Sequence, residues 1–328
     1  MLTTGLLRTI VAGMLAAALG GCASSQQPSA VSVPITGRVL YTAPNSVATQ
    51  VLRGLPGNGN AVVPAALGYI ASQPVADWLG DWVPADKVGA VARQAAQPAY
   101  EVGKVAVIAI YAIPDRDCKG FSAGGLATSD AYRSWLTALA HGISGLGPIV
   151  ILEPDSLAQL DCLTVAQQSD RLLALNQAVD LLTGVGARVY LDGGHAGWQS
   201  PAVMAQRLRA AGVDRASGFA LNVSNFDSTA AETAYGHAIS AILGGAHFVI
   251  DTSRSGRGAP PSAALNWCNP QGRGLGQAPT TITRDPLVDA YLWVKTPGVS
   301  DGACRPGDPP AGRFWPAYAV GLYQRRTA

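Results

Sequence analysis

The chain has 328 residues, only 13% of them charged, and a net charge of +2. That balance excludes a nucleic-acid binder, which needs a clustered basic face, while the length suits one large barrel or two ordinary domains. Of 21 acidic residues only Glu101, Glu153 and Glu232 are glutamates, so aspartate does nearly all the acid work.

At the N-terminus, Arg8 precedes an apolar run over residues 10–19, too short to span a bilayer as a mature helix. The run ends in Leu19-Gly20-Gly21-Cys22 and resembles a bacterial lipoprotein signal, in which Cys22 becomes the acylated first residue. Residues 1–21 are therefore expected to be a signal peptide, 22–35 a flexible tether and 36–328 the functional domain. The protein is expected to be exported and lipid-anchored outside the cytoplasmic membrane, or secreted where the lipobox is not used. Two or more acyl chains give stable anchoring, and one gives marginal binding.

A first strand is predicted over 38–41, after which Pro44-Asn45 opens a helix. Further strands are predicted over 78–82, 105–111, 149–152, 188–191, 248–250 and 290–294, and helices over 131–143, 165–183, 201–211 and 229–243. In the helix over 165–183, Leu172, Leu173, Leu175, Val179 and Leu182 form an apolar face destined for the core. Trp78 and Trp82 also read as core residues. Residues 253–281, rich in Gly, Pro, Arg and Asn, form a loop long enough to be functional or disordered. No repeat and no long linker interrupts 36–328. Strands alternating with helices imply a parallel sheet or barrel. Asp117, Asp155, Asp192, Asp251 and Asp301 fall at or just past the ends of apolar runs. In a β/α barrel the C-terminal strand ends share one mouth. Five carboxylates would then converge on one cleft, which is costly for stability and suited to acid/base chemistry.

Four cysteines follow Cys22: Cys118, Cys162, Cys268 and Cys304. In an oxidising compartment an even number implies two disulfides, with three connectivities open. Cys118 and Cys162 each follow a strand-end aspartate, and Cys268 and Cys304 flank the last strand, so local pairing within each couple is favoured. Zinc spacing is absent, and His141, His195, His237 and His247 form no ligand motif.

The motifs Tyr111-Ala112-Ile113-Pro114-Asp115-Arg116-Asp117-Cys118, Glu153-Pro154-Asp155-Ser156-Leu157, Leu191-Asp192-Gly193-Gly194-His195-Ala196-Gly197-Trp198 and Trp293-Val294-Lys295-Thr296-Pro297-Gly298-Val299-Ser300-Asp301-Gly302 occur in this order. Asn222-Val223-Ser224-Asn225, Ile250-Asp251-Thr252-Ser253-Arg254-Ser255-Gly256 and Asn266-Trp267-Cys268 accompany them. Together they resemble glycoside hydrolase family 6, the inverting cellulases. The resemblance covers about residues 38–323 and implies a distorted, partly open α/β barrel of about seven parallel strands, with its cleft at the C-terminal strand ends. It implies cleavage of β-1,4-glucosidic bonds in cellulose or a related β-glucan, with no cofactor and no metal, by a monomer. Position by position it assigns Asp155 as general acid. Asp117 raises the acid's pKa and organises the water, and Asp301 is the proposed base. Arg254 supports Asp301, and Asp251 is a second supporting residue. Tyr41, Tyr111, Arg116, Asp192, His195, Trp198, Asn222, Trp267 and Lys295 match substrate-binding positions. An acetal hydrolase that inverts needs a protonated acid on one face and an activated water on the other. A neighbouring carboxylate keeps such an acid protonated by like-charge repulsion. Indole and phenol rings offer flat faces to sugar C–H faces.

Two positions depart from the pattern. Val299 stands where the family has a glutamate, and Ala112 follows Tyr111 where relatives carry Asn or Asp. A valine accepts no hydrogen bond from a sugar hydroxyl, a loss of about 1–3 kcal/mol. The short stretch between Lys295 and Trp315 implies an open cleft that cuts within chains. A catalytically weak or inactive glycan-binding lipoprotein on the same fold is the alternative, and a structural envelope lipoprotein explains Cys22 but not the aspartates.

Overall fold

Short apolar runs become seven strands: β1 (Asp77–Gly80), β2 (Val107–Tyr111), β3 (Ile149–Leu152), β4 (Arg188–Asp192), β5 (Gly218–Leu221), β6 (Phe248–Asp251) and β7 (Val288–Leu292). In the computed structural model, which describes residues 1–2, 35–56, 61–261 and 265–327, these pair in sequential order, every pair parallel. The described residues from 35 onward form one compact unit. Cys22, the lipobox and nearly all of the expected signal and tether lie outside the described residues.

Parallel strands need crossovers, and helices supply them: α3 (Ala85–Glu101), α4 (Ser129–Ile143), α5 (Val165–Gly184), α6 (Pro201–Ala210) and α7 (Thr229–Ile242), preceded by α1 (Val47–Arg53) and α2 (Val62–Ala71) and followed by α8 (Pro316–Gln324). Their starts are written locally. Thr128 and Ser228 cap α4 and α7, Thr164 and Gln167 form a capping box on α5, and Ser200 caps α6 ahead of Pro201. α3 and α4 approach so closely that a Cβ on Gly142 would stand 2.1 Å from the Gly89 carbonyl oxygen, so glycine is required there.

β1 and β7 do not pair in the described sheet, so the barrel is partly open. The seam is crossed by the Ala76 N–H, which donates to the Trp293 carbonyl, and by Trp78 Nε1, which donates to the Val294 carbonyl. Beside it Leu40 pairs with Val105, Thr280 pairs antiparallel with Tyr291, and Thr281 Oγ1 joins these two segments by donating to the Arg38 carbonyl. The expected strand over 38–41 is thus one bridge rather than a strand, because it meets β2 only below its first residue. β5 escapes the sequence pattern: its four residues begin with a glycine and show no alternation. β7 starts two residues earlier than expected because its Asp289 interrupts the apolar run. α2, α3 and α8 were also not predicted. α3 buries Val88, Ala92, Ala96 and Ala99, and a stripe that is mostly alanine carries little hydrophobic signal.

Alternation sorts the strand residues into two cores. Outward residues such as Ile108, Ile110, Val150, Leu152, Leu191 and Phe219 pack beneath the helices. Inward residues such as Val107, Ala109, Ile149, Ile151, Ala220 and Val249 fill the barrel. On α5 the core face differs from expectation. Leu173 is exposed, and Arg171 is buried beside Ala174, Leu175, Ala178, Val179 and Leu182.

Candidate active site

Following the inward parity past the strand ends, the apolar filling turns polar: Val107, Ala109 and then Tyr111; Ile149, Ile151 and then Glu153 and Asp155; Tyr190 and then Asp192; Ala220 and then Asn222; Val249 and then Asp251. The period of two thus delivers polar side chains to the C-terminal ends of the strands. The backbone there is bent to fit. Asp117, Cys118, Glu153, Asp155, Asn222 and Ser224 all have φ between 52° and 69°. Left-handed non-glycine residues gathered at one end of a sheet mark a functional site.

A cleft of about 1620 Å³ opens at this mouth. Tyr41, Tyr111, Arg116, Asp117, Asp155, His195, Trp198, Trp267, Lys295 and Asp301 all line it. Asp192 and Asn222, expected at the sugar, lie beneath the lining and are buried. Asp192 Oδ1 accepts the backbone N–H groups of Asp155 at 3.0 Å and Gly194 at 2.9 Å. Asn222 Nδ2 donates to the carbonyls of Asp227 and Asp251. Asn222 spends its whole amide on the strand-end loops, whereas Asp192 holds them through Oδ1 alone and its Oδ2 is buried without a hydrogen-bond partner among the described residues. Asp251, the expected support, takes N–H groups from Ser224, Ser253 and Lys295.

Asp155 and Asp301 share the cleft but not an environment. The Asp155 side chain is reachable from the cleft and walled elsewhere. Burial, and then the charges of Asp192 and Asp117, raise its pKa to about 8. Among the described residues its side chain has a single hydrogen-bond neighbour, the Tyr111 hydroxyl, which donates to Oδ2 at a long 3.5 Å. Asp192 is also raised by burial, but its two backbone donors favour its charged form. A proton entering this pair therefore resides on Asp155. Burial acts on Asp301 too, but Arg254 and Lys295 outweigh it and hold the carboxyl below its usual range. Arg254 Nη1 donates at 2.9 and 2.8 Å to the two carboxylate oxygens, Lys295 Nζ lies 2.9 Å from Oδ1, and the Asn269 N–H donates to Oδ2 at 3.1 Å. Arg254 is itself buried, its guanidinium 4.0 Å from the Phe226 ring centre and hydrogen-bonded to the Ser224 carbonyl.

Asp117 is wrapped by its own loop. Ser122 N–H donates to Oδ2 at 2.7 Å, and Gln159 Nε2 donates to Oδ1 at 3.0 Å. A Cβ on Gly120 would come within 2.4 Å of this carboxylate, so the tight wrap needs glycine. Cys118–Cys162 pins this loop to the segment after Asp155, and Cys268–Cys304 pins the segments beside Asp301. The paired couples are the favoured ones. Arg171 adds a buried clamp, donating to the carbonyls of Pro114, Asp115 and Ser156 and so joining the Asp117 and Asp155 loops.

Some site residues escaped the sequence reading. Asp81 follows β1 as the other aspartates follow their strands, and it pairs with Arg116 and accepts Gly125 N–H. Trp82, expected in the core, is 55% exposed on the cleft because β1 ends before it. Trp78 is half-buried, lines the cleft and meets the Tyr111 ring edge-on. Phe121 adds an exposed ring 6.0 Å from that of Trp267. Asn269, Asp227 and Glu232 carry no local signal at all. Val299 lies on the cleft beside Lys295 and Asp301.

A parallel barrel with a carboxylate-lined mouth, exposed aromatic rings and, among the described residues, no closing strand defines a glycoside-hydrolase-like protein. The model of the glycosyl hydrolases family 6 matches residues 36–326, and this chain belongs to that family. It is 47% identical over 257 residues to endoglucanase A of Cellulomonas fimi, covering 78% of this chain but only 55% of that relative. It is 38% identical over 322 residues to endoglucanase 1 of Streptomyces halstedii, covering 95% of this chain and 97% of the relative. The structure of the endoglucanase Cel6 from Mycobacterium tuberculosis, in complex with methyl-cellobiosyl-4-deoxy-4-thio-β-D-cellobioside, superposes with a TM-score of 0.85 at 44% identity, covering 89% of this chain and 98% of that one.

Proposed function

We propose that the protein is an endo-acting, inverting hydrolase of β-1,4-glucan. The observation that carries this reading is the contrast within one cleft between Asp155, a walled carboxyl met by one long hydroxyl contact and raised toward its protonated form, and Asp301, held in its ionised form by Arg254, Lys295 and the Asn269 N–H. The relatives' names, endoglucanase, and the cellobiose-derived ligand of the Mycobacterium tuberculosis structure support the substrate class. Trp82, Phe121, Trp198 and Trp267 are each 36–55% exposed on the cleft, as platforms for a chain entering anywhere along its length.

Asp155 donates its proton to the glycosidic oxygen as the C1–O bond breaks. A water attacks C1 from the opposite face, and its proton must leave to a base. Asp301 is a poor base, because three cationic or N–H donors occupy its oxygens and lower its proton affinity. Asp117 carries one hydrogen bond on each oxygen and keeps acceptor capacity, so it takes this proton through a water. Asp301 supplies fixed negative charge and holds Lys295 at the sugar.

We further propose that residues 1–21 direct export, that Cys22 carries the lipid anchor and that 22–35 tether the domain outside the cytoplasmic membrane. The two disulfides fit an oxidising compartment. Incubation with carboxymethyl cellulose tests the activity. Reducing-sugar release with a rapid fall in viscosity and an initial α-anomeric product is expected. Binding without release on this and on mixed-linkage glucans would instead favour the glycan-binding alternative, with Val299 as the suspect.

A further inference from the structure

We propose that His195, Asp227 and Glu232 form a site for one divalent cation of the zinc class in the wall of the cleft. The sequence offers no such motif, because the three residues come from the loop after β4, the loop after β5 and the first turn of α7. Folding brings one ligand atom of each within 4.8 Å of the others. His195 Nδ1 lies 3.0 Å from Asp227 Oδ2, and both residues line the cleft. Glu232 stands behind them, fully buried.

The buried carboxylate carries the argument. Glu232 Oε1 accepts the Ala196 N–H at 2.9 Å, while Oε2 is buried without a hydrogen-bond partner. Leaving a buried carboxyl oxygen unsatisfied in the interior is costly. Asp227 brings a second carboxylate to the same spot, so the cluster needs positive charge. His195 supplies one charge at most, and it already faces Asp227. A dication satisfies both carboxylates and the open oxygen together. One imidazole nitrogen, two carboxylate oxygens and a position open to cleft water make a zinc donor set, with bonds of about 2.0–2.2 Å. Drawing the three atoms onto one ion requires side-chain shifts of only about 1 Å. It also gives up the 3.3 Å contact of the Gly197 N–H with His195 Nδ1, since that nitrogen would bind the metal.

Calorimetric titration of chelator-treated protein with zinc chloride tests the site without reference to hydrolysis, so its failure is separate from failure of the catalytic reading. One saturable site is expected, weakened at least tenfold in Glu232→Gln and in Asp227→Asn. Melting curves establish that each variant is folded. Should Glu232→Gln not fold, Asp227→Asn decides, since that side chain is partly exposed. Anomalous diffraction from zinc-soaked wild-type crystals should place the ion among the three residues. Absence of saturable binding, equal binding by the folded variants, or zinc held only at His141, His237 or His247 would overturn the proposal.

Discussion

Asp155 and Asp301 are the same residue type, at the ends of the same kind of loop, lining one cleft. One is raised to about 8 and the other is held below its usual range. The difference lies in what each meets. Asp155 meets burial and the charges of Asp192 and Asp117, which outweigh the weaker pull of His195 and Lys295, while Asp301 is in direct contact with a buried guanidinium, an ammonium and a backbone N–H. Proton inventory in this cleft is therefore set by neighbours drawn from distant strands, and each neighbour offers a way to break the contrast.

The largest effect is expected at the acid itself. Asp155→Asn should lower the hydrolysis rate by about 10²–10⁴-fold while glucan binding and the melting curve are retained. Normal turnover would refute the assignment. At the opposite pole, Arg254→Leu leaves a buried charge with less compensation and should destabilise the fold by about 3–5 kcal/mol, read by urea denaturation. A loss under about 1 kcal/mol would mean that Lys295 and Asn269 suffice for Asp301. Cys118→Ala with Cys162→Ala opens a link of sequence separation 44, with an expected cost of about 2–4 kcal/mol. Activity should fall with it, because the Asp117 loop loses its pin. Unchanged activity and stability would show that Arg171 holds the loop alone.

Smaller effects concern pH. A carboxyl that must donate a proton works below its pKa, so the rate should be lost as pH rises through the raised value of Asp155. Asp192→Asn removes the largest neighbouring charge, so the alkaline limb should move to lower pH; an unmoved limb would exclude Asp192 from tuning the acid. Stability follows the same signs. Between the unfolded value of a carboxyl and a raised folded one, the unfolded chain binds fewer protons, so Asp155 and Glu153 make stability fall as pH rises from about 4 toward about 8. Asp301 acts oppositely, its contribution being lost only in acid as pH falls through its lowered pKa. Asp155→Asn should flatten the first slope in melting temperature against pH, and an unchanged slope would count against the raised pKa. Val299→Glu tests the smallest term. A restored sugar contact of about 1 kcal/mol should lower KM for a soluble glucan, and a raised KM would show that the apolar wall is itself the better fit.

Much of this was legible because parity and position are local. Five aspartates at the ends of apolar runs identified the mouth of a parallel barrel, and the two cysteine couples followed from the loops that they flank. Asp81 obeys the same rule, but Asp77–Gly80 mixes a charge and a glycine into a four-residue strand and gives no run to follow. Arg171 sits on the apolar stripe of α5, where a leucine-counting reading replaces it with Leu173. Asn269, Asp227 and Glu232 reach the site through partners 32, 32 and 36 positions away, Asp301, His195 and Ala196, so little near them in sequence reveals their use.

The central claim is that Asp155 delivers the proton to the leaving oxygen. Turnover of Asp155→Asn on a β-1,4-glucan and on 2,4-dinitrophenyl β-cellobioside tests it directly, because dinitrophenolate departs without needing a proton. The account predicts a collapsed rate on the glucan and a rate on the activated substrate close to that of the unaltered protein. Equal loss on both substrates, or no loss on either, would contradict it.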